Sequence, residues 1–187
     1  MREHATMNVL EMHQRAQSEF ARVLQQATDA DLDAPTPCDE WTVADLIGHA
    51  VDGNRTVAEL LGASPEPVPD GTAAERYSFA ASQAQDALAR EGALDQMVTL
   101  PFGEIPVAAY VGIRSGDLYA HAWDLATSIG ADTDLDPELG AAVWAATEPI
   151  LSPALRGEGR PFGEEQPCGP EHSVADRYAA LLGRAVE

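Results

Sequence analysis

Residues 42–62 form the segment that most constrains the fold, because their apolar side chains recur every three or four positions. This spacing places one apolar stripe along an α-helix. Thr42 and Asp45 form a Thr-x-x-Asp capping pattern before the stripe, and Gly62 follows its last member. The apolar positions are Val43, Leu46, Ile47, Ala50, Val51, Val57, Ala58 and Leu61. The segment therefore predicts a helix to about Leu61 that must pack against other helices.

Similar periodicity predicts further helices along the chain. They cover residues 5–27, residues 72–90, residues 107–129, a short helix through Trp144 that begins at the pair Asp136–Pro137, and the closing stretch SVADRYAALLGR. The stretch VTLPFGEIP is predicted as extended chain or a short turn pair. Connections of roughly ten to twenty residues are too long for simple up-and-down packing. The predicted fold class is therefore all-α: a four-helix bundle with crossover connections plus short C-terminal helices, as a single domain over residues 1–187.

The charge balance narrows the classes of function. The 187-residue chain has 31 acidic and 11 basic residues, which gives a formal net charge of -20. This charge repels phosphate backbones and anionic lipids, so neither nucleic acids nor membranes are expected as partners. No apolar run approaches the ~20 residues of a membrane span, and the first residues lack the apolar core of a secretory signal. We therefore expect a cytoplasmic protein in which Cys38 and Cys168 stay reduced.

A polar ridge interrupts the apolar pattern of the helix predicted at 107–129. Asp117 and His121 are four residues apart, so they project from the same face and can both reach one divalent ion at roughly 2.0 to 2.2 Å. Arg114 and Asp124 lie on the same ridge. The ridge predicts either a metal site or a solvated helix face.

A third ligand has to come from another helix, and His49 is the candidate. It lies at the edge of the apolar stripe of residues 43–61, with Gly53 one turn later leaving room beside it. Three protein ligands with an open fourth position are typical of a catalytic metal site. The residues alone leave the alternative open, because a hydrogen-bonded, partly buried histidine needs no metal.

Four stretches of the chain carry a family resemblance. They are TPCDEWTVADLIGHAVDGN, VTLPFGEIP, HAWDLA and the closing GRPFGEEQPCGP…DRYAALLGR. They resemble the actinobacterial DinB-like metal-binding proteins related to the mycothiol-dependent maleylpyruvate isomerase N-terminal domain. The resemblance covers nearly the whole chain and implies a DinB-like four-helix bundle that holds a divalent metal through His49, Asp117 and His121. The isomerase has Glu where this chain has Asp117, whose shorter arm must bring the helix closer to the ion.

The resemblance and the ridge together predict a divalent-metal-binding protein that acts as a mycothiol-dependent, thiol-activating metalloenzyme of S-transferase or isomerase type. The expected cofactors are a divalent ion, zinc before nickel or iron, and mycothiol or another low-molecular-weight thiol. The expected substrate is an electrophilic small molecule, and a homodimer is left open. Two alternatives remain open as well: a non-catalytic metal-binding or stress-response module on the same bundle, and a bundle that has lost its metal.

The remaining polar residues of the ridge have predicted roles beside the metal. Asp124 is expected to accept the other ring proton of a ligand histidine, or else to stabilise the helix. Arg114 is expected to bind a carboxylate of the thiol or substrate as a bidentate donor, or else to pair with Asp117 or lie in solvent. Cys38 lies in a Pro-rich turn followed by acids, so it is interpreted as structural and not as a nucleophile. The tryptophans, Trp41 among them, are interpreted as packing residues.

Overall fold

The computed structural model describes residues 7–38, 40–101, 103–157 and 159–186. The α-helices in these ranges are α1 (Val9–Leu24), α2 (Val43–Leu60), α3 (Ala73–Leu88), α4 (Val107–Ile129), α5 (Pro137–Thr147) and α6 (Val174–Leu181). Two strands, β1 (Met97–Leu100) and β2 (Gly103–Pro106), form an antiparallel sheet between α3 and α4. None of the helices described here combines the length and the apolar character that a bilayer crossing requires.

Side chains just before the helices fix where the helices begin. The backbone N–H of Asp45 donates to Thr42 Oγ1 at 3.3 Å, and the Thr42 N–H donates to Asp45 Oδ2 at 2.9 Å. This reciprocal box satisfies two backbone donors at the start of α2, and α3 begins with the same kind of box. At α1, Asn8 Oδ1 accepts the N–H of Glu11 at 2.9 Å. The predicted start at residue 5 lies outside the described residues, and the Asn8 cap explains why the helix begins at Val9.

The helices pack so that α4 is the central element. α1 packs mainly on α4, and α2 packs mainly on α3. The bundle is closed by further packing of α1 on α3 and of α2 on α4, while α5 and α6 also contact α4. α1 and α2 therefore lie diagonally opposite, as do α3 and α4. The connections between α1 and α2 and between α3 and α4 cross the bundle, in line with their length.

The central helix α4 is buried on most of its sides. Its buried residues include the large apolar side chains Leu118, Tyr119 and Leu125. Gly116 allows α4 to come close to its neighbours, because a Cβ there would lie 2.7 Å from the Tyr178 hydroxyl and 3.0 Å from Thr147 Oγ1. The glycine thus brings α4 against α5 and α6, and a polar side chain on α4 must find its partners inside the protein.

The all-α prediction is wrong in one place, because β1 and β2 pair as antiparallel strands in the stretch predicted as extended chain or a short turn pair. Val98 pairs with Ile105 in the antiparallel register, and Val98 is buried. These β-branched residues favour extended backbone and pack well on a half-buried sheet. The Val107 N–H then donates to the Gln96 carbonyl at 2.8 Å, so the strand pair leads directly into the first residue of α4.

Candidate metal centre

The polar ridge of α4 faces the interior of the bundle. Arg114, His121 and Asp124 are buried, and Asp117 is half-buried. The alternative of a solvated helix face therefore does not describe these residues. On α2, the half-buried His49 reaches the same region, so two helices bring the three predicted ligands together.

His49, Asp117 and His121 converge on a common point. His49 Nε2 lies 3.2 Å from Asp117 Oδ2, and His121 Nε2 lies 3.4 Å from Asp117 Oδ1. The ligand atoms of the three residues all lie within 4.8 Å of one another. Ligands held at about 2.0 to 2.2 Å in a tetrahedral site lie roughly 3.3 to 3.6 Å apart. The donor types and their spacing therefore fit a divalent cation such as zinc.

Trp41 covers the two imidazole rings on one side. Its ring centroid lies 5.0 Å from the ring of His49 and 5.7 Å from the ring of His121. The tryptophan is half-buried. It directly precedes Thr42, and the capping bonds of Thr42 fix the backbone at this point. Trp41 is thus a packing residue, as the sequence suggested, but it packs on the candidate ligands and restricts how their rings turn.

Asp124 supports His121 from the other side of the ring. His121 Nδ1 lies 2.9 Å from Asp124 Oδ2, while Nε2 of the same ring points to Asp117. A carboxylate that accepts the Nδ1 proton fixes the tautomer and orientation of a metal-binding histidine. This is the contact that the predicted supporting role of Asp124 requires.

Arg184 anchors Asp124, and no pattern in the sequence points to it. Its Nε donates to Asp124 Oδ1 at 3.0 Å and its Nη2 donates to Asp124 Oδ2 at 2.9 Å. The two bonds form a bidentate pair, the geometry in which guanidinium binds carboxylate best. Arg184 lies just beyond α6, and its distance of 60 positions from Asp124 explains why helical periodicity does not reveal it.

Cys38 completes the surroundings of Asp124. Its Sγ donates to Asp124 Oδ2 at 3.3 Å and lies 3.9 Å from His121 Nδ1. Arg184 Nη2 lies 3.6 Å from the same sulfur. Cys38, His121 and Asp124 are near enough to form a second ligand group. A cation in this second group would displace the hydrogen bond between His121 Nδ1 and Asp124, whereas the group with His49 and Asp117 uses His121 Nε2 and leaves that bond in place.

The charges of the site stabilise one another. Burial raises the pKa of Asp117, but the charges of Arg114 and His121 outweigh burial and hold this pKa well below its usual value. Burial lowers the pKa of His121, yet the carboxylates of Asp117 and Asp124 raise it well above its ordinary value. Burial also opposes the ionised form of Asp124, whose hydrogen bonds to His121 and Arg184 bring the pKa down to about 2. Both carboxyl groups therefore stay ionised, which is the form that binds cations.

Arg114 pairs with Asp117 inside the bundle. Its Nη1 donates to Asp117 Oδ2 at 2.5 Å, whereas Nε and Nη2 have no hydrogen-bond partner among the residues described. A Cβ on Gly53 would lie 2.0 Å from Arg114 Nη2. The room that Gly53 leaves, which the sequence placed beside His49, is thus taken by the guanidinium. Of the roles considered for Arg114, the structure shows the ion pair with Asp117.

A small cavity gives space beside the candidate ligands. Its volume is about 130 Å³, and Asp117, His121, Tyr178 and Arg184 contribute to its walls. A water molecule occupies about 30 Å³ in the liquid, so the cavity has room for a few waters or for one small functional group. The centre therefore combines a donor set for a cation with a space in which a reacting group can lie.

Comparison with known proteins gives this centre a family context. A family model described as the mycothiol maleylpyruvate isomerase N-terminal domain matches residues 13–126, a range that contains all three candidate ligands. Two uncharacterized proteins of Mycobacterium tuberculosis, MT0763 from strain CDC 1551 / Oshkosh and Rv0738 from strain ATCC 25618 / H37Rv, are each 43% identical to this chain over 182 residues. The matches cover 96% of this chain and 100% of each relative.

A solved structure supports the fold. The crystal structure of the mycothiol-dependent maleylpyruvate isomerase superposes with a TM-score of 0.57 at 17% sequence identity, over 72% of this chain and 65% of the isomerase. The crystal structure of a histidine-to-alanine mutant of that enzyme matches equally well. The chain thus spans less than two thirds of the isomerase, and at this identity the likeness concerns the fold alone.

Proposed function

Because the chain belongs to the mycothiol maleylpyruvate isomerase N-terminal domain family, we propose that it is a divalent-metal protein that activates a small thiol for transfer to an electrophilic small molecule. One observation carries the proposal. The Nε2 atoms of His49 and His121 meet the carboxylate of Asp117, while the other nitrogen of His121 is held by Asp124. This combination of inner donors and a supporting carboxylate is the usual construction of a protein metal site.

The three inner residues hold the cation in this proposal. A divalent ion bound by His49, Asp117 and His121 supplies a Lewis-acid position at which a thiol is stabilised as its thiolate at neutral pH. Zinc suits two imidazoles and one carboxylate, and nickel or iron accept the same ligands. Three protein donors leave one position of a tetrahedral set for the thiol or for water.

The surrounding residues orient the donors and keep Asp117 ionised, and a cation bound at His121 Nε2 would displace the proton from that nitrogen. Asp124 holds His121 so that Nε2 faces Asp117, and Arg184 keeps Asp124 ionised and in place. Arg114 holds Asp117 by an ion pair. Trp41 keeps water from one side of the imidazole rings. Because these contacts exist before any ligand binds, little reorganisation is needed when the cation and the thiol arrive.

The thiol is proposed to be mycothiol or a chemically similar low-molecular-weight thiol, because the family takes its name from a mycothiol enzyme. The reaction class is the addition of the thiol to an electrophile. In an addition to an activated double bond, the sulfur forms a bond to one carbon and the thiol proton ends on the neighbouring carbon, so no redox partner is needed. A transferase leaves the thiol in the product. An isomerase eliminates the thiol again after rotation about the carbon–carbon bond that was the double bond.

Metal content tests the centre directly. Protein purified without chelator or affinity tag is analysed by inductively coupled plasma mass spectrometry. The wild type is expected to hold about one equivalent of a divalent metal. His49→Ala and His121→Ala are expected to lose it, whereas His172→Ala, which lies outside the centre, retains it. Circular dichroism checks that the variants are folded. A wild type that carries no more metal than His121→Ala rejects the metal centre.

Turnover is tested separately on the metal-loaded protein. Consumption of mycothiol, or of a simpler cysteine-containing thiol, is followed with a panel of electrophiles for the wild type and for His121→Ala. The proposal predicts acceleration that requires both the thiol and the bound metal. Fully loaded protein that stays inactive across the panel would instead favour a non-catalytic metal-binding module.

A further inference from the structure

An apolar cavity lies next to the candidate metal centre. Its volume is about 490 Å³, and α1, α4 and α5 form most of its walls. Half of its lining residues are alanine or glycine, whose small side chains leave the space open. These residues are Ala108, Ala109, Gly112, Ala142, Ala145 and Ala146. Cavities of about 300 to 1,000 Å³ are the size that holds small molecules.

The walls of this cavity match an uncharged ligand. The polar side chain among its described lining residues is Thr147, and its hydroxyl is already bonded to the Tyr178 hydroxyl at 2.9 Å. The larger lining side chains are methionine, valine and isoleucine. An ionised group placed there loses its hydration without gaining a partner. The net charge of -20 further disfavours anionic ligands.

The apolar cavity adjoins the smaller cavity at the metal centre. Ile113, Thr147 and Ile150 line both spaces. Ile113 lies one helical turn before Asp117 on α4, and Asp117 and His121 line the smaller space. A molecule whose body fills the apolar cavity can therefore place one end beside two candidate metal ligands.

The smaller cavity has no free positive side chain among its described lining residues. Arg184 is the arginine among its described lining residues, and both its Nε and its Nη2 donate to Asp124. The guanidinium charge is thus already neutralised. No free positive side chain is left for a carboxylate among the described lining residues, so the cation of the proposed function would be the group that receives one.

We propose, building on the proposed function, that the apolar cavity binds the hydrocarbon body of the acceptor. The acceptor is then a small molecule with an uncharged alkyl or aryl body and an electrophilic end, and that end lies beside Asp117 and His121. The thiol arrives from another side, past the half-exposed His49 and Trp41, neither of which lines the two cavities. The two reactants therefore occupy separate regions and meet at the metal ligands.

Binding of unreactive analogues tests this assignment without any turnover. Straight-chain primary amides from butanamide to decanamide are titrated into the metal-loaded protein by calorimetry. Each methylene buried in an apolar cavity contributes about 0.8 kcal/mol, so Kd should fall up to about fourfold per added carbon until the cavity is full. A straight-chain dicarboxylate with the same number of carbons is expected to bind much more weakly.

Matched variants on α5 locate the binding. Ala146→Phe and Ala145→Leu fill the cavity from exposed positions on its wall, so both are expected to fold and to abolish the dependence of Kd on chain length. Ala141→Phe introduces the same bulk at an exposed position of α5 outside the cavity and should bind the amides like the wild type. Metal content should be unchanged in all three variants, because none of these positions touches the candidate ligands.

The outcomes separate this inference from the proposed function. If the amide Kd is independent of chain length, if Ala146→Phe and Ala145→Leu bind as the wild type does, or if the dicarboxylate binds better than the amide, the assignment is overturned even when thiol transfer is observed. If the amides bind as expected but no electrophile is turned over, the proposed function fails and the cavity remains a site for apolar small molecules.

Sedimentation velocity tests whether a second copy of the chain, and not a small molecule, covers the apolar cavity. If the cavity binds a small molecule, Ala146→Phe and the wild type should have the same oligomeric state. A wild-type dimer that Ala146→Phe dissociates, together with absent amide binding, would assign the cavity to a subunit interface and overturn the inference.

Discussion

His121 Nδ1 and Asp124 Oδ2 lie 2.9 Å apart on neighbouring turns of α4, and Arg184 holds the same carboxylate through two further hydrogen bonds. The histidine therefore has one nitrogen committed to the interior of the protein before any ligand binds. Its other nitrogen is left for the group formed with Asp117 and His49.

Asp124→Asn should weaken metal binding without removing any inner ligand. The amide keeps the shape of the side chain but loses the negative charge that orients His121, and such changes typically lower metal affinity about 10- to 100-fold. Competition with a chromophoric chelator measures the loss. Arg184→Met, which leaves the His121–Asp124 contact intact, should have a smaller effect on affinity.

The uncompensated Arg184 side chain will also destabilise Asp124→Asn, so a double variant is needed as a control. Combining Asp124→Asn with Arg184→Met removes both charges and should recover part of the folding stability while metal affinity stays low. Wild-type affinity in Asp124→Asn would show that the carboxylate does not support the metal ligand.

Gly53→Ala and Gly48→Ala, both on α2, should change stability in opposite directions. A Cβ at Gly53 would lie 2.0 Å from Arg114 Nη2, whereas a Cβ at Gly48 would meet no heavy atom within 4 Å. Gly53→Ala should therefore lower the free energy of unfolding by about 1 to 3 kcal/mol, because the buried guanidinium must shift. Gly48→Ala should raise it by about 0.5 to 1 kcal/mol, the usual gain at an open helical position. Urea denaturation measures both, and equal effects would contradict the packing of Arg114 against Gly53.

His13 should make folding stability depend on pH. It is fully buried on α1, and burial, with a smaller effect of Arg114, lowers its pKa from 6.5 to about 4. The stability of the neutral form is fully present above pH 6.5. As the pH falls toward 4, the unfolded chain takes up a proton that the folded protein does not, and the free energy of unfolding decreases by at most about 3 kcal/mol.

The variant His13→Leu should lack this contribution. Its free energy of unfolding should vary less steeply than that of the wild type between about pH 4.5 and 6.5, by up to about 1.4 kcal/mol per pH unit. Urea denaturation at several pH values gives the two slopes. Identical slopes would show that His13 is protonated as readily in the folded protein as in the unfolded chain.

Trp41 should report metal binding by its fluorescence. Its ring lies 5.0 Å from the ring of His49 and 5.7 Å from that of His121, so a bound Co²⁺ ion is near enough to quench its emission. Titration of the apoprotein with Co²⁺ should reduce tryptophan emission until the site is full. Trp41→Phe should remove most of this change, and Trp144→Phe should leave it intact. If Trp144→Phe removes the change and Trp41→Phe keeps it, the ion lies near Trp144, away from the proposed centre.

Features that depend on local spacing could be predicted from the sequence. The apolar stripe of α2, its Thr42 cap and the span of α4 all follow from residues within a few turns of one another. The same holds for Asp117 and His121, whose separation of four residues places them on one face. His49 could be proposed as the third ligand from its place at the edge of the apolar stripe of α2, but the residues alone left open whether it binds a metal, and the family resemblance favoured that reading.

Features that depend on distant partners could not be predicted. Arg184 reaches Asp124 from beyond α6, and Cys38 reaches it from the turn before α2. Neither contact has a periodic signature. The position of Arg114 against Gly53 depends on the close approach of α2 and α4, which no local pattern encodes. The extended chain before α4 was predicted, but the pairing of its two strands was not, because strands of only four residues carry little alternating pattern.

The span of chain between Asp124 and Arg184 also bears on biosynthesis. During translation His49, Asp117 and His121 all leave the ribosome before Arg184, although a domain generally folds as a unit. A nascent chain thus presents every inner donor while Asp124 still lacks its guanidinium. The hydrogen bonds that hold Asp124 against His121 are therefore complete only after the chain beyond α6 has been synthesised and has docked.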